Sequence, residues 1–119
     1  MEIYKEFKFD AAHHLPRLPE DHQCGRMHGH TFRVIVHVRG PVDPARGWVT
    51  DYGEISRICR PVIEKLDHSC LNEIPGLENP TSENLAVWIW RRIVNELTGL
   101  SAVEVKETAS SGCIFRGGA

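Results

Sequence analysis

The chain predicts an α+β domain, because two segments of period-two alternation near each terminus flank two stretches of helical period. Its 119 residues suit a single domain spanning 1–119. A chain of that length buries about two-thirds of its unfolded surface, enough for a core without disulfides. No repeat, low-complexity tract or linker suggests a boundary within it.

The first strand is expected over Ile3 to His13. Ile3, Phe7, Phe9 and Ala11 share one parity there, against Tyr4, Glu6, Lys8 and Asp10 on the other. A Pro-rich, charged loop, Leu15 to Met27, leads to a second strand over His30 to Arg39, with Phe32, Val34, Val36 and Val38 as its apolar face. Gly40-Pro41-Val42-Asp43-Pro44 ends it, since proline cannot continue a ladder. Asp51 is placed to cap a first helix, with Glu54 in capping-box position and Ile55, Ile58, Cys59, Val62 and Leu66 on its buried face. Pro61 lies inside that pattern and is expected to kink or split the helix. After a loop over Asn72 to Pro80, Thr81 or Ser82 caps a second helix with the stripe Leu85, Ile89, Ile93 and Leu97, stopped by Gly99. The tail reads as a hairpin, Ala102 to Thr108 and Cys113 to Arg116, around an Ala109-Ser110-Ser111-Gly112 turn. The expected product is a four-stranded antiparallel sheet in the order ββααββ, with both helices on one face. Its open edges favour pairing between subunits as a homo-oligomer.

Composition narrows the function. No apolar run approaches the roughly 20 residues that cross a bilayer, and the N-terminus lacks the apolar core of a secretory signal. A net charge of −2 with interspersed signs leaves no basic footprint for nucleic acid. A cytoplasmic soluble protein is the expectation. Cys24, Cys59, Cys70 and Cys113 form no C-x-x-C pair, and a cytoplasmic setting disfavours disulfides.

Histidine placement carries most of the chemistry. In His28-Gly29-His30 the two imidazoles project to the side of Phe32 and Val34, while His13 extends the apolar face of the first strand. If these strands pair, three neutral imidazoles meet at one end of the sheet, the ligand set of a catalytic zinc with one open position. His14 falls on the other face, His37 on the polar side and His22 in a loop. Cys24, four residues before His28, either closes the coordination sphere or stands beside the metal as a base. Asp67-His68, just past the first helix, is either a relay that activates Cys24 or a helix-end feature favoured by the dipole. As adjacent residues on an extended chain they point apart, so direct support of His68 by Asp67 is awkward. Glu107 follows Val103 and Val105 inward; a buried carboxylate needs a partner, either a Lys or Arg or a planar N–H/NH2 edge such as that of a pterin or guanine.

Five motifs, in order, resemble those of the 6-pyruvoyl/6-carboxytetrahydropterin synthase family: Phe9-Asp10-Ala11-Ala12-His13, Cys24-Gly25-Arg26-Met27-His28-Gly29-His30, Leu66-Asp67-His68, Pro80-Thr81-Ser82-Glu83-Asn84 and Lys106-Glu107-Thr108. The resemblance covers essentially the whole chain. It implies the tunnelling fold, in which subunits join their sheets into a barrel, typically a hexamer built as a dimer of trimers. It also implies zinc (Zn²⁺) on His13, His28 and His30, Cys24 as general base with His68 and Asp67 in its relay, assembled across subunits, and Glu107 anchoring the pterin ring. Thr81 and Ser82 match a segment near the pterin pocket. The three residues between Cys24 and His28 resemble the bacterial 6-carboxytetrahydropterin synthases of the queuosine pathway, whereas the 6-pyruvoyl enzymes usually have a longer gap. The implied substrate is a pterin triphosphate, 7,8-dihydroneopterin triphosphate, with Arg17, Arg26 and Lys65 as candidate partners of its phosphates.

Overall fold

Alternation in the first half of the chain produces two long strands, β1 over Glu2–His13 and β2 over His28–Arg39. They pair antiparallel without a slip from Glu2↔Arg39 to His13↔His28. In the computed structural model, which describes residues 1–19 and 21–118, the expected parity holds. Phe7, Phe9, Ala11 and His13 of β1 are buried, as are Phe32, Val34, Val36 and Val38 of β2. β2 begins two residues earlier than alternation suggests, which brings both His28 and His30 into the ladder.

Helix α1 spans Tyr52–Leu66, and the Asp51 carboxylate accepts from Gly53 N at 2.9 Å. Glu54 does not complete a capping box; it accepts from the Arg57 guanidinium at 2.6 and 3.0 Å instead. Pro61 does not split the helix. Ile58 and Cys59 before it and Ile63 and Leu66 after it share one core, and that burial outweighs the lost hydrogen bond. Ile63, rather than the half-buried Val62, completes the buried stripe.

Past α1 the chain turns at His68, whose φ of 57° is left-handed, into a two-residue strand, β3, over Ser69–Cys70. β3 runs parallel to β1, opposite Ala11 and Ala12. The sheet is therefore five-stranded and mixed, in the order β3-β1-β2-β4-β5, rather than four-stranded and antiparallel.

Helix α2 spans Ser82–Ile93 and is capped by Thr81, whose hydroxyl accepts from Asn84 N at 3.1 Å. Thr81→Ala is expected to lower unfolding free energy by about 1 kcal/mol, read from denaturant midpoints; an unchanged midpoint would contradict the capping role. The helix stops at Ile93 instead of Leu97, yet Leu97 N still bonds Ile93 O at 2.9 Å and its side chain is buried. Gly99, at φ 82°, passes so close to β2 that a Cβ there would lie 2.6 Å from Arg39 O.

The tail forms the expected hairpin, β4 over Leu100–Thr108 and β5 over Ser111–Phe115. Its turn is only Ala109-Ser110, because Ser111 and Gly112 already pair with β4. Both helices pack on the apolar face of the sheet, α1 over β1 and α2 over β4 and β5. The opposite face carries Tyr4, Glu6, Lys8, Asp10, Thr31 and Arg33 to solvent. No helix among the described residues is long and apolar enough to cross a membrane.

Candidate active site

The β1–β2 register alone assembles a three-histidine cluster. His13 stands opposite His28, and His30 opposite Ala11, two residues along on the same face. Ring centroids lie 4.5 Å apart for His13 and His28, 5.4 Å for His13 and His30, and 4.9 Å for His28 and His30. One nitrogen from each ring falls within 4.8 Å of the others.

His13 is only 1% exposed, and its Nδ1 donates to the Pro80 carbonyl at 2.8 Å. A carbonyl can only accept, so the proton sits on Nδ1 and Nε2 presents a lone pair. That Nε2 is buried with no hydrogen-bond partner among the described residues. Burial is the main influence pulling the His13 pKa below the ordinary imidazole value, against the Pro80 carbonyl and Glu107, so the ring is held neutral. His28 Nδ1 likewise donates to Arg26 O at 2.6 Å. Imidazoles fixed by a backbone carbonyl, with the second nitrogen aimed into a shared space, are the usual arrangement of metal ligands. An orphaned buried nitrogen among three imidazoles fits a borderline divalent cation such as zinc.

Glu107 comes to the same place by a break in regularity. The β4–β5 register slips between Lys106 and Thr108, leaving Glu107 without a partner residue on β5. Such a bulge re-aims a side chain at the edge of a site. Glu107 Oε1 lies 3.5 Å from His13 Nε2, and its side chain is 28% exposed.

Cys24 lies in a short 3-10 turn, Gln23–Gly25, where His22 Nδ1 accepts from Cys24 N at 3.0 Å. Leu15 N bonds Cys24 O at 2.9 Å, and a Cβ on Gly25 would overlap the Pro19 carbonyl oxygen, so the loop is pinned on both sides of the thiol. Cys24 is half-buried and forms no disulfide among the described residues. It shares a cavity of about 290 Å³ with the three histidines, Glu107 and Gln23. The chemistry gathered there is a metal-ligand set, a thiol that can move protons, and a carboxylate that can accept two hydrogen bonds.

Asp67 and His68 lie elsewhere in the chain. Direct contact, awkward for an extended chain, is made possible by the left-handed backbone at His68, which sets Nδ1 3.0 Å from Asp67 Oδ2. The Asp10 N–H is the main influence holding the Asp67 carboxyl below its usual range, with His68 also contributing. His68 is 79% exposed and lines a different cavity, of about 540 Å³, with Asp10 and Thr31. The two cavities share Gly29 and His30, and His68 lines the larger while Cys24 lines the smaller.

Thr81 and Ser82 also stand outside the Cys24 cavity. Thr81 caps α2, and the Ser82 hydroxyl donates to Glu83 Oε1 at 3.1 Å. Their segment reaches the site through Pro80, whose carbonyl orients His13; no side-chain pattern announces that contact. His14 lies outside the imidazole cluster, as its parity implies. Arg17 faces a separate cleft beside Arg91 and Arg92 of α2, Arg26 borders a hollow with His14 and Met27, and Lys65 sits exposed in the last turn of α1.

The family model described as 6-pyruvoyl tetrahydropterin synthase matches residues 2–118. The chain is 41% identical to the 6-carboxy-5,6,7,8-tetrahydropterin synthase of Synechocystis, with 95% of this chain and 91% of that protein covered. It is 38% identical to the dihydroneopterin monophosphate aldolase of Pyrococcus furiosus, covering 82% of this chain and 77% of that one. The solved structure of the Caenorhabditis elegans 6-pyruvoyl tetrahydropterin synthase superposes with a TM-score of 0.89 at 24% identity, over 99% of this chain and 96% of that one, and so shares the fold.

Proposed function

The chain belongs to the 6-pyruvoyl tetrahydropterin synthase family, and from that premise we propose that it is a zinc-dependent lyase acting on a reduced pterin. The reaction proposed converts 7,8-dihydroneopterin triphosphate and one water to 6-carboxy-5,6,7,8-tetrahydropterin, acetaldehyde and triphosphate, within queuosine synthesis. The observation that carries it is the buried, unpartnered His13 Nε2, held in a three-imidazole cluster that shares one cavity with Cys24 and Glu107.

His13, His28 and His30 would hold the metal, which when bound supplies Lewis acidity to the side-chain oxygens of the substrate. Glu107 accepts two hydrogen bonds from the N–H/NH2 edge of the pterin and so orients the side chain toward the imidazoles and the thiol. Cys24 moves protons at the side-chain carbons while triphosphate leaves and a carbon–carbon bond opens. Asp67 and His68 exchange protons with Cys24 of a neighbouring copy, in an oligomer of joined sheets proposed to be a hexamer. The sheet edges at β3 and β5, which take no further strand from the chain itself, support such joining.

Two alternatives would use the same pocket: a 6-pyruvoyl-type synthase, whose product keeps all its side-chain carbons, and a sepiapterin-cleaving relative. The similarity to the Pyrococcus furiosus protein named a dihydroneopterin monophosphate aldolase favours, as a further reading, a retro-aldol cleavage of a pterin phosphate that releases a phosphorylated hydroxyaldehyde instead of acetaldehyde.

Stripping the protein with a chelator should abolish turnover, and zinc should restore it; turnover persisting without metal would end the zinc-dependent reading. Glu107→Ala is expected to raise KM roughly a hundredfold, for two lost hydrogen bonds to a charged group, with zinc content unchanged. Loss of zinc in that variant would instead place Glu107 among the metal ligands.

A further inference from the structure

The hydrogen bonds around Asp67 and His68 converge on a residue outside the pair. The Asp10 N–H donates to Asp67 Oδ1 at 3.0 Å, and the Asp10 carbonyl accepts from His68 N at 2.6 Å. One residue of β1 thus grips the acid and the imidazole residue together. Those two bonds use main chain and would survive substitution, but the side chain adds a third element. Asp10 Oδ1 accepts from the Thr31 hydroxyl at 2.5 Å, across the rung where the two residues face each other. A carboxylate oxygen of Asp10, one of Asp67 and a ring nitrogen of His68 all lie within 4.8 Å of one another.

The arrangement answers a physical problem. His68 is highly exposed on a left-handed backbone, a conformation that costs a non-glycine residue about 1 kcal/mol or more. An exposed ring with one hydrogen-bond partner would otherwise sample several rotamers. Asp67 sits on Nδ1, and the Thr31-anchored carboxylate of Asp10 lies within 4.8 Å of a ring nitrogen, so two fixed carboxylates stand beside the ring. We propose that Asp10, anchored by Thr31, is a positioning residue that holds the Asp67–His68 pair in its reactive geometry. The proposal rests on the reading that this pair serves proton transfer at Cys24.

The test uses zinc-loaded full chain, with kcat and KM measured beside the imidazole ¹⁵N resonances of His68, assigned by their loss in His68→Gln. Asp10→Ala is expected to lower kcat about tenfold with KM within about twofold, the pattern of lost orientation rather than lost binding. In the same variant the His68 ring should change from a single Nδ1–H tautomer to an average of tautomers. Thr31→Val should lower kcat about threefold, and nothing further when added to Asp10→Ala, because it acts through Asp10. Thr31→Ser, which keeps the hydroxyl, should match the unsubstituted protein. An unchanged His68 tautomer in Asp10→Ala overturns the proposal, whether or not the protein turns over the pterin. Absence of turnover in the unsubstituted protein would instead defeat the functional reading, with the resonances still deciding the role of Asp10.

Discussion

His13→Ala is expected to empty the metal centre. Zinc per chain, by elemental analysis, should fall from about one to near zero, and turnover should fall by well over a hundredfold, since loss of even the outer partners of metal ligands costs roughly 10–100-fold. The expectation follows from the buried Nε2 of His13, which has no hydrogen-bond partner among the described residues and belongs to a close-set group with His28 and His30. His14→Ala is the matched control, because its ring lies outside the cluster and zinc should stay. The opposite pattern would mean that the two faces of β1 had been exchanged, the consequence of a one-residue slip.

Cys24→Ala should separate chemistry from metal binding. Zinc is expected to remain near one per chain while turnover falls by about 10²–10⁴-fold, the usual contribution of a positioned acid or base. The reason is geometric: the thiol lines the cavity, while the close-set ligand group is His13, His28 and His30. A non-catalytic zinc-stabilised binding module would behave differently, with Cys24→Ala destroying metal binding and chelation unfolding the chain. The core argues for the enzyme. Phe7, Phe9, Phe32, Ile55, Leu66, Leu85, Ile89 and Val103 form one buried cluster joining the sheet to both helices, while the imidazoles sit at one end of the sheet. Far-UV circular dichroism should therefore be unchanged on chelation, and loss of signal would favour the module.

The imidazole cluster was legible because period two is rigid. Once Phe9 and Phe32 face the core, His13, His28 and His30 must follow on the same face, and the unslipped β1–β2 register brings them together. Glu107 was legible for a partly different reason than its parity with Val105, since the bulge at this residue aims it. Features set by single backbone angles or by distant main chain were not legible. The contact of Asp67 with His68 depends on a positive φ at a residue that carries no glycine signal, and β3 is too short to show a period. The Pro80 carbonyl that fixes the His13 tautomer lies 67 residues away and leaves no trace in the side-chain pattern. Pro61 does not divide the helix because burial on both sides of it decides continuity, and that burial is a property of the folded core.

Carbon–carbon cleavage that releases acetaldehyde at this cavity is tested by incubating zinc-loaded protein with 7,8-dihydroneopterin triphosphate and following both carbon fragments by mass spectrometry. Acetaldehyde and 6-carboxytetrahydropterin are expected in equal amounts, with both absent in Cys24→Ala. A pterin that retains all its side-chain carbons, or one released together with a phosphorylated hydroxyaldehyde, would contradict cleavage to acetaldehyde.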